Sequence, residues 1–189
     1  ATLDGARQIL MEQFAENADV LKKLRDCMWQ NGIIRSRVVD GKQSEGEKFA
    51  DYFEYDEAIN KIPSHRALAL YRGRNEGVLQ MDLIIANEEA LVSHPCEGII
   101  AQHFKIENRN RPADKWLADT VRWTWKVKAF THIDLELKMQ LKEAAEEEAI
   151  KVFAANLKDL LLAAPAGAKT TLGLDPGLRT GVKVAVVDA

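Results

Sequence analysis

The sequence has only two cysteines, Cys27 and Cys96, far apart in 189 residues. That excludes a disulfide-stapled scaffold and any paired-cysteine metal motif. It suits a reducing compartment, and we expect a cytoplasmic protein with no Cys27–Cys96 disulfide. No apolar run approaches the ~20 residues of a membrane-spanning helix, and no signal-peptide pattern occurs, so no membrane partner is expected. A dominant charge sign is lacking as well: 26 basic and 29 acidic residues leave a formal net charge of −3. The chain therefore has no global pull toward nucleic acid, and any such binding must come from local patches. There is no phosphate-loop motif, internal repeat or low-complexity tract. The first residue is Ala rather than Met, which fits an excised piece of a longer protein.

Helix breakers are absent over one long stretch: from Ala113 to Ala164 there is neither Gly nor Pro. Pro112 suits a first helical turn, where its missing N–H costs nothing. An unbroken helix from there would be a rod of about 80 Å at 1.5 Å per residue. A bend is expected near Phe130–His132, where β-branched Thr131 and Ile133 flank His132. In the second half, Leu141, Ala145, Ala149, Val152, Phe153, Leu157, Leu160 and Leu161 trace one apolar face. The small-residue run PAGAK, 165–169, then reads as a linker.

What precedes is helix and strand in alternation. Residues 3–30 predict two helices, with Ala6, Ile9, Leu10 and Phe14 on one face and Val20, Leu21, Leu24 and Met28 on the other's. Asp4 and Asn17 are expected N-caps, and Asn31-Gly32 a left-handed helix stop. A strand follows from Ile33 to Val39, then a polar loop at 40–46 and a short helix carrying Phe49, Tyr52 and Phe53. Pro63 and a capping Ser64 open a helix with Ala67, Leu68 and Tyr71 on its apolar stripe, which Gly77 could end. Leu79, Met81, Leu83 and Ile85 alternate in a half-buried strand whose expected partner is 33–39. Residues 87–107 read as two short helices interrupted at His94-Pro95. The fold class is thus mainly α, with a long helix and a small two-stranded β element.

After the linker come two Val- and Leu-rich strands, with Asp175 at the end of the first, followed by Pro-Gly. One carboxylate cannot hold a hard cation such as Mg²⁺ alone, since several oxygen ligands are needed. Asp175-Pro176-Gly177 reads equally as a hairpin turn. Asp188 reads as a turn residue.

Charge is segregated along the long helix. Lys105 to Lys128 carries seven basic residues against three acidic, net +4, and His132 to Glu148 six acidic against two basic, net −4. Arg109, Arg111, Arg122, Lys126 and Lys128 lie in the basic part with Trp116, Trp123 and Trp125, so backbone pairing and base stacking are open to it. The same charges fit a solvated face and the same tryptophans a core. Arg66, Arg72 and Arg74 form a second basic group. Ser64, His65 and Arg66 could hold a phosphate at a helix start or pin the loop internally. His94, Cys96 and His103 lack metal-ligand spacing.

Longer strings carry a resemblance. SRVVDGKQSEGEKFADYFEYDEAINKIPSHRALALYRGRNEGVL (36–79), RPADKWLADTVRWTW (111–125) and EEEAIKVFAANLKDLLLAAPAGAKTTLGLDPGLRTGVKVAVVD (146–188) resemble the bacterial Tex family of transcription accessory proteins, in family order. The resemblance implies a cytoplasmic, multidomain, nucleic-acid-binding parent that carries helix-turn-helix-like, ribonuclease-H-like (YqgF), helix-hairpin-helix and OB-fold parts. This chain would be an internal piece: the central helical domain at 1–164, a linker at 165–169, and at 170–189 the opening hairpin of a truncated YqgF domain. Asp175 matches the family's first-strand Asp, and Gly177, Arg179 and Gly181 the motif around it. Mg²⁺, if used, belongs to the intact parent, and no cofactor is expected in this chain. The expected role is a helical scaffold that links nucleic-acid-binding (RNA or DNA) domains. The alternatives are part of a Mg²⁺-dependent resolvase-like nuclease, or a docking scaffold on the transcription machinery. An active site is not expected in this chain, which lacks the downstream carboxylates.

Overall fold

The computed structural model describes residues 2–165, 167–177 and 181–188, with the backbone alone at residue 89. Arg179 of the expected motif lies outside the described residues. The chain divides into two compact units, Ala1–Ile150 and Lys151–Ala189.

In the first unit, helices α1 (Thr2–Ala15) and α2 (Ala18–Asn31) form where the periodicity places them. Asn17 caps α2, its side-chain oxygen accepting from the Val20 N–H at 3.0 Å. Asp4 is not a cap; it falls within the first turn of α1. Met11 and Phe14 form the buried edge of α1, whereas Ile9 faces solvent. Asn31-Gly32 does not make a left-handed stop either. Gly32 is extended (φ −72°, ψ 146°), and a Cβ there would lie 2.2 Å from the Met28 carbonyl oxygen. Glycine is required by this close approach of helix to strand rather than by a positive φ.

Strands β1 (Gly32–Val38), β2 (Glu54–Ala58) and β3 (Leu79–Ile85) make an antiparallel sheet in the order β2-β1-β3. The expected pairing of β1 with β3 holds, with Ile34 opposite Leu83 and Arg35 opposite Asp82. The third strand, β2, was not expected: its sequence EYDEA is poor in strand formers, but an edge strand tolerates charge. Ile34, Leu83 and Met81 bury one face, and the buried Ser36 hydroxyl is satisfied by donating to the Tyr52 carbonyl at 2.9 Å.

Helix α3 (Ser64–Asn75) packs on β3. Ser64 is its first residue rather than its cap, and no side chain caps this end. Its other end closes through Gly77 (φ 70°), with Gly77 N–H donating to Arg74 O and Val78 N–H to Gly73 O. This paired closure satisfies the last free carbonyls and needs a left-handed residue. Between β3 and α4 (Pro95–His103) a 3-10 turn, Glu88–Ala90, stands where the first of two short helices was expected. His94-Pro95 starts α4 rather than interrupting it: His94 Nδ1 accepts from the Cys96 N–H at 3.1 Å and Pro95 takes the first turn.

The long helical span resolves into α5 (Asp114–Trp123), a π-helical segment (Thr124–Ala129) and α6 (Phe130–Leu161). The irregularity precedes the expected bend at 130–132. Thr120 and Thr124, both buried, donate back to the carbonyls of Trp116 and Thr120 at 2.8 Å, a pairing that loosens helical geometry. Trp125 thereby enters the core and stacks on His94 at 4.7 Å. Leu24, Met28, Leu70, Ile100, Ile133 and Leu137 are fully buried, each stabilising the fold by ~1.5–3 kcal/mol.

The second unit holds the end of α6 and a hairpin of β4 (Thr171–Gly177) and β5 (Gly181–Val187). The apolar face predicted on α6 divides: Leu141 and Ala145 are buried, whereas Val152, Phe153, Leu157, Leu160 and Leu161 are exposed. Asp175-Pro176-Gly177 is not the turn, because Asp175 pairs with Lys183, Pro176 with Val182 and Gly177 with Gly181 inside the ladder. Among the described residues no helix is long and apolar enough to cross a membrane.

Candidate nucleic-acid interface

The eight basic residues singled out by the sequence do not converge. Arg66, Arg72 and Arg74 lie on α3, Arg109 and Arg111 in the loop before α5, Arg122 near its end, and Lys126 and Lys128 in the π segment. Six of them face carboxylates of this same chain. Arg66 meets Glu57 at 3.4 Å, Arg72 meets Glu76 at 3.2 Å, and Arg109 meets Glu107 at 2.8 Å. Arg111 meets Asp114 at 2.8 Å, Arg122 meets Glu97 at 3.8 Å, and Lys128 reaches Glu12 of α1. For Arg74 and Lys126 the described residues offer no carboxylate within ion-pair distance. Exposed pairs of this kind are worth little in stability, yet each reduces the positive potential available to a phosphate.

The loop before α5 shows how firmly such a pair can be held. The Asp114 carboxylate accepts from the backbone N–H of Arg109 at 2.7 Å and of Arg111 at 2.9 Å, and from Arg111 Nε at 2.9 Å. Its pKa is held down at about 2, chiefly by the Arg111 side chain and then by the two backbone donors. The guanidinium of Arg111 is a structural clamp here. With Arg122 and Lys115 it lines a cleft of about 740 Å³, but Glu97, Glu107, Asp114 and Asp119 line the same cleft. On α3 the pattern repeats: Lys48 joins Glu76 at 2.5 Å, and that contact, followed by Arg72, lowers the Glu76 pKa. The Ser64–His65–Arg66 start has Arg66 turned to Glu57.

Lys126 faces a different neighbourhood. Together with Arg35 and Arg37 of β1, Ile84 and Ile85 of β3, and Asn87, Glu88 and Ala90, it lines a cleft of about 720 Å³. Arg35 and Arg37 both contact Asp56 of β2, at 3.3 and 2.8 Å. Neither arginine was singled out from the sequence. Their spacing at alternate strand positions, on the face opposite Ile34 and Ser36, was the available signal.

The tryptophans separate as well. Trp125 is core, Trp116 is covered by the Arg7 guanidinium at 5.5 Å, and Trp123 is 52% exposed. Asp175 is exposed, with Lys183 Nζ at 3.5 Å from its carboxylate. Among the described residues no group of three His, Cys, Asp or Glu side chains could hold a metal ion. A lone carboxylate beside an ammonium group does not fit a hard divalent cation, which needs several oxygen ligands.

Comparison with known proteins gives these surfaces a context. Residues 1–153 match the family described as Tex central region-like. The chain is 55% identical over 194 residues to Protein YhgF of Escherichia coli K12, covering 100% of this chain and 25% of that protein. It is 56% identical over 190 residues to the transcriptional accessory protein Tex of Neisseria gonorrhoeae, with the same coverage. The human S1 RNA-binding domain-containing protein 1 is 28% identical over 190 residues, covering 97% of this chain and 19% of that protein. The chain thus spans about a quarter of the length of its bacterial relatives.

Proposed function

The chain belongs to the Tex family, and from that premise we propose that it serves a nucleic-acid-binding transcription accessory protein as the helical scaffold linking its nucleic-acid-binding parts. The observation that carries this reading is the self-neutralised surface: six of the eight basic candidates are paired with carboxylates of the same chain. A primary nucleic-acid groove needs uncompensated cations, because affinity comes from counterions released as phosphates are neutralised. The main affinity of the parent would then reside in other parts, and α6 would hold them at a distance. The names carried by the Neisseria and human relatives support transcription and RNA as the setting, and the same setting supports a cytoplasmic location.

The test compares a full-length family protein with this chain for binding to single- and double-stranded RNA and DNA across salt concentrations. The full-length protein should bind with a steep log–log salt slope, and this chain much more weakly. A full-length protein without affinity at low salt would sink the reading.

A second reading, docking to the transcription machinery, is favoured by Val152, Phe153, Leu157, Leu160 and Leu161, large apolar side chains left bare on α6. Association with polymerase that survives nuclease treatment and high salt would support it. A nuclease reading rests on Asp175 and on carboxylates that would have to lie elsewhere in the parent. Mg²⁺-dependent cleavage by the parent, lost in Asp175→Asn, is the result it requires.

A further inference from the structure

We infer that the cleft between β1 and the Thr124–Ala129 segment is a secondary binding site for the phosphodiester backbone of a single nucleic-acid strand, held by Arg35, Arg37 and Lys126. The inference rests on the proposed function for its setting; the sequence singled out Lys126, and the structure adds Arg35, Arg37 and the cleft that joins the three.

Three features of the cleft carry it. First, its described lining brings together three cations, Arg35, Arg37 and Lys126, with Glu88 as the acidic group among the described lining residues and Asp56 paired to the two arginines. The larger cleft beside α4 and α5 has the opposite character, since Glu97, Glu107, Asp114 and Asp119 meet its basic residues. Second, the two arginines are prepositioned. Alternation along β1 puts both on the face away from the core, and Asp56 contacts both guanidiniums at 3.3 and 2.8 Å from the neighbouring strand. A shared carboxylate costs part of their charge, but it fixes two forks of donors side by side, which favours bidentate recognition of phosphate oxygens. Third, Lys126 approaches from another element with no carboxylate within ion-pair distance among the described residues. It is therefore the cation here whose charge a phosphate would complete.

The dimensions fit a strand rather than a lone anion. A cleft of about 720 Å³ exceeds what one phosphate needs, and Ile84, Ile85 and Ala90 give it an apolar wall that a ribose or base face can cover. Glu88 is the opposing group. Its carboxylate accepts from the N–H of Ile85 at 3.5 Å, which turns part of its charge toward this chain's own backbone.

The experiment measures binding of a fluorescein-labelled single-stranded RNA oligonucleotide to this chain by anisotropy, from low to moderate salt. Lys126→Glu should weaken binding about tenfold at low salt and flatten the log–log salt slope by roughly 0.7, the share of one phosphate contact on a single strand. Lys158→Glu on α6 makes the same charge change outside the cleft and should shift affinity less than about twofold. Lys126 is exposed and has no ion pair among the described residues, so its variant should keep the wild-type melting temperature; Arg37→Gln gives an independent check from the other wall. Equal losses in the Lys126 and Lys158 variants would overturn the inference in favour of diffuse electrostatics. Displacement of the oligonucleotide by millimolar inorganic phosphate at constant ionic strength would overturn the strand assignment. Absence of binding by the wild-type chain at low salt would overturn the site itself, while binding by a full-length family protein would leave the proposed function standing.

Discussion

The Tyr71 hydroxyl donates to the backbone carbonyl of Lys138 at 2.5 Å, joining α3 to α6 across 67 residues of sequence. Lys138 returns the contact with its own side chain, donating to the Met81 carbonyl of β3 at 3.0 Å. One turn of α6 is therefore pinned to the sheet layer by two polar contacts amid apolar packing. Tyr71→Phe should cost about 1 kcal/mol in denaturant unfolding, the net worth of one such bond. Burial, with help from Asp134 and against Arg74, pushes the Tyr71 phenol up to about 12. A folded pKa above the unfolded value of 10 gives stability that is intact below pH 10 and lost as pH rises toward 12. The gap between wild type and Tyr71→Phe should accordingly narrow as pH rises from 10 toward 12.

His94 should make stability pH-dependent at the acidic end. It stacks on Trp125, and its Nδ1 must be unprotonated to accept from the Cys96 N–H. Burial lowers its pKa, Lys126 adds to the effect, and Glu88 opposes it. A folded pKa below the unfolded 6.5 means that the unfolded chain binds the extra proton first, so stability falls as pH drops below 6.5. His94→Ala should flatten this slope between pH 5 and 7 and cost about 1–2 kcal/mol at pH 7, through loss of the cap and the stacking. Thermal scans across that range would decide it.

Gly32 tests the junction of α2 and β1. A Cβ there would meet the Met28 carbonyl oxygen at 2.2 Å and Leu83 Cδ1 at 2.9 Å. Backbone cannot yield as a flexible side chain can, so Gly32→Ala should destabilise by about 1–3 kcal/mol despite the ordinary φ. A variant within 0.3 kcal/mol of wild type would show that the helix end can shift away.

These cases mark how much of the molecule was legible beforehand. Helices α1, α2, α3 and the α5–α6 span, and the β1–β3 pairing, follow from apolar periodicity, which reports burial directly. Strand β2 was illegible because Glu54, Asp56 and Glu57 oppose strand formation locally and are tolerated only at an edge beside Arg35 and Arg37. Caps at Asp4 and Ser64 failed for a related reason: residue type licenses a cap, but the helix start is set by neighbouring packing. In the candidate interface, the sequence exposed the charges and concealed their partners. Lys128 and Glu12 lie 116 positions apart, so no local pattern could reveal that the lysine is spoken for.

The two cysteines supply the last prediction. Packing of α2 against α4 places Cys27 near enough to Cys96 to influence its thiol. Cys27 is half-buried beside a small cleft of about 360 Å³, whereas Cys96 is fully buried. Burial first, and then the Cys27 neighbour, push the Cys96 thiol far above the ordinary range. Disulfide-type reagents consume thiolate, so the burial of Cys96 and the raised pKa of its thiol direct reaction to Cys27. Titration of the native chain at pH 8 should give one fast-reacting thiol and one that reacts only as the structure opens. Cys27→Ser should abolish the fast phase and leave the slow one, whose rate should rise with denaturant. Two equally fast thiols would mean that α4 separates from α2 far more readily than its buried Ile100 and Cys96 imply.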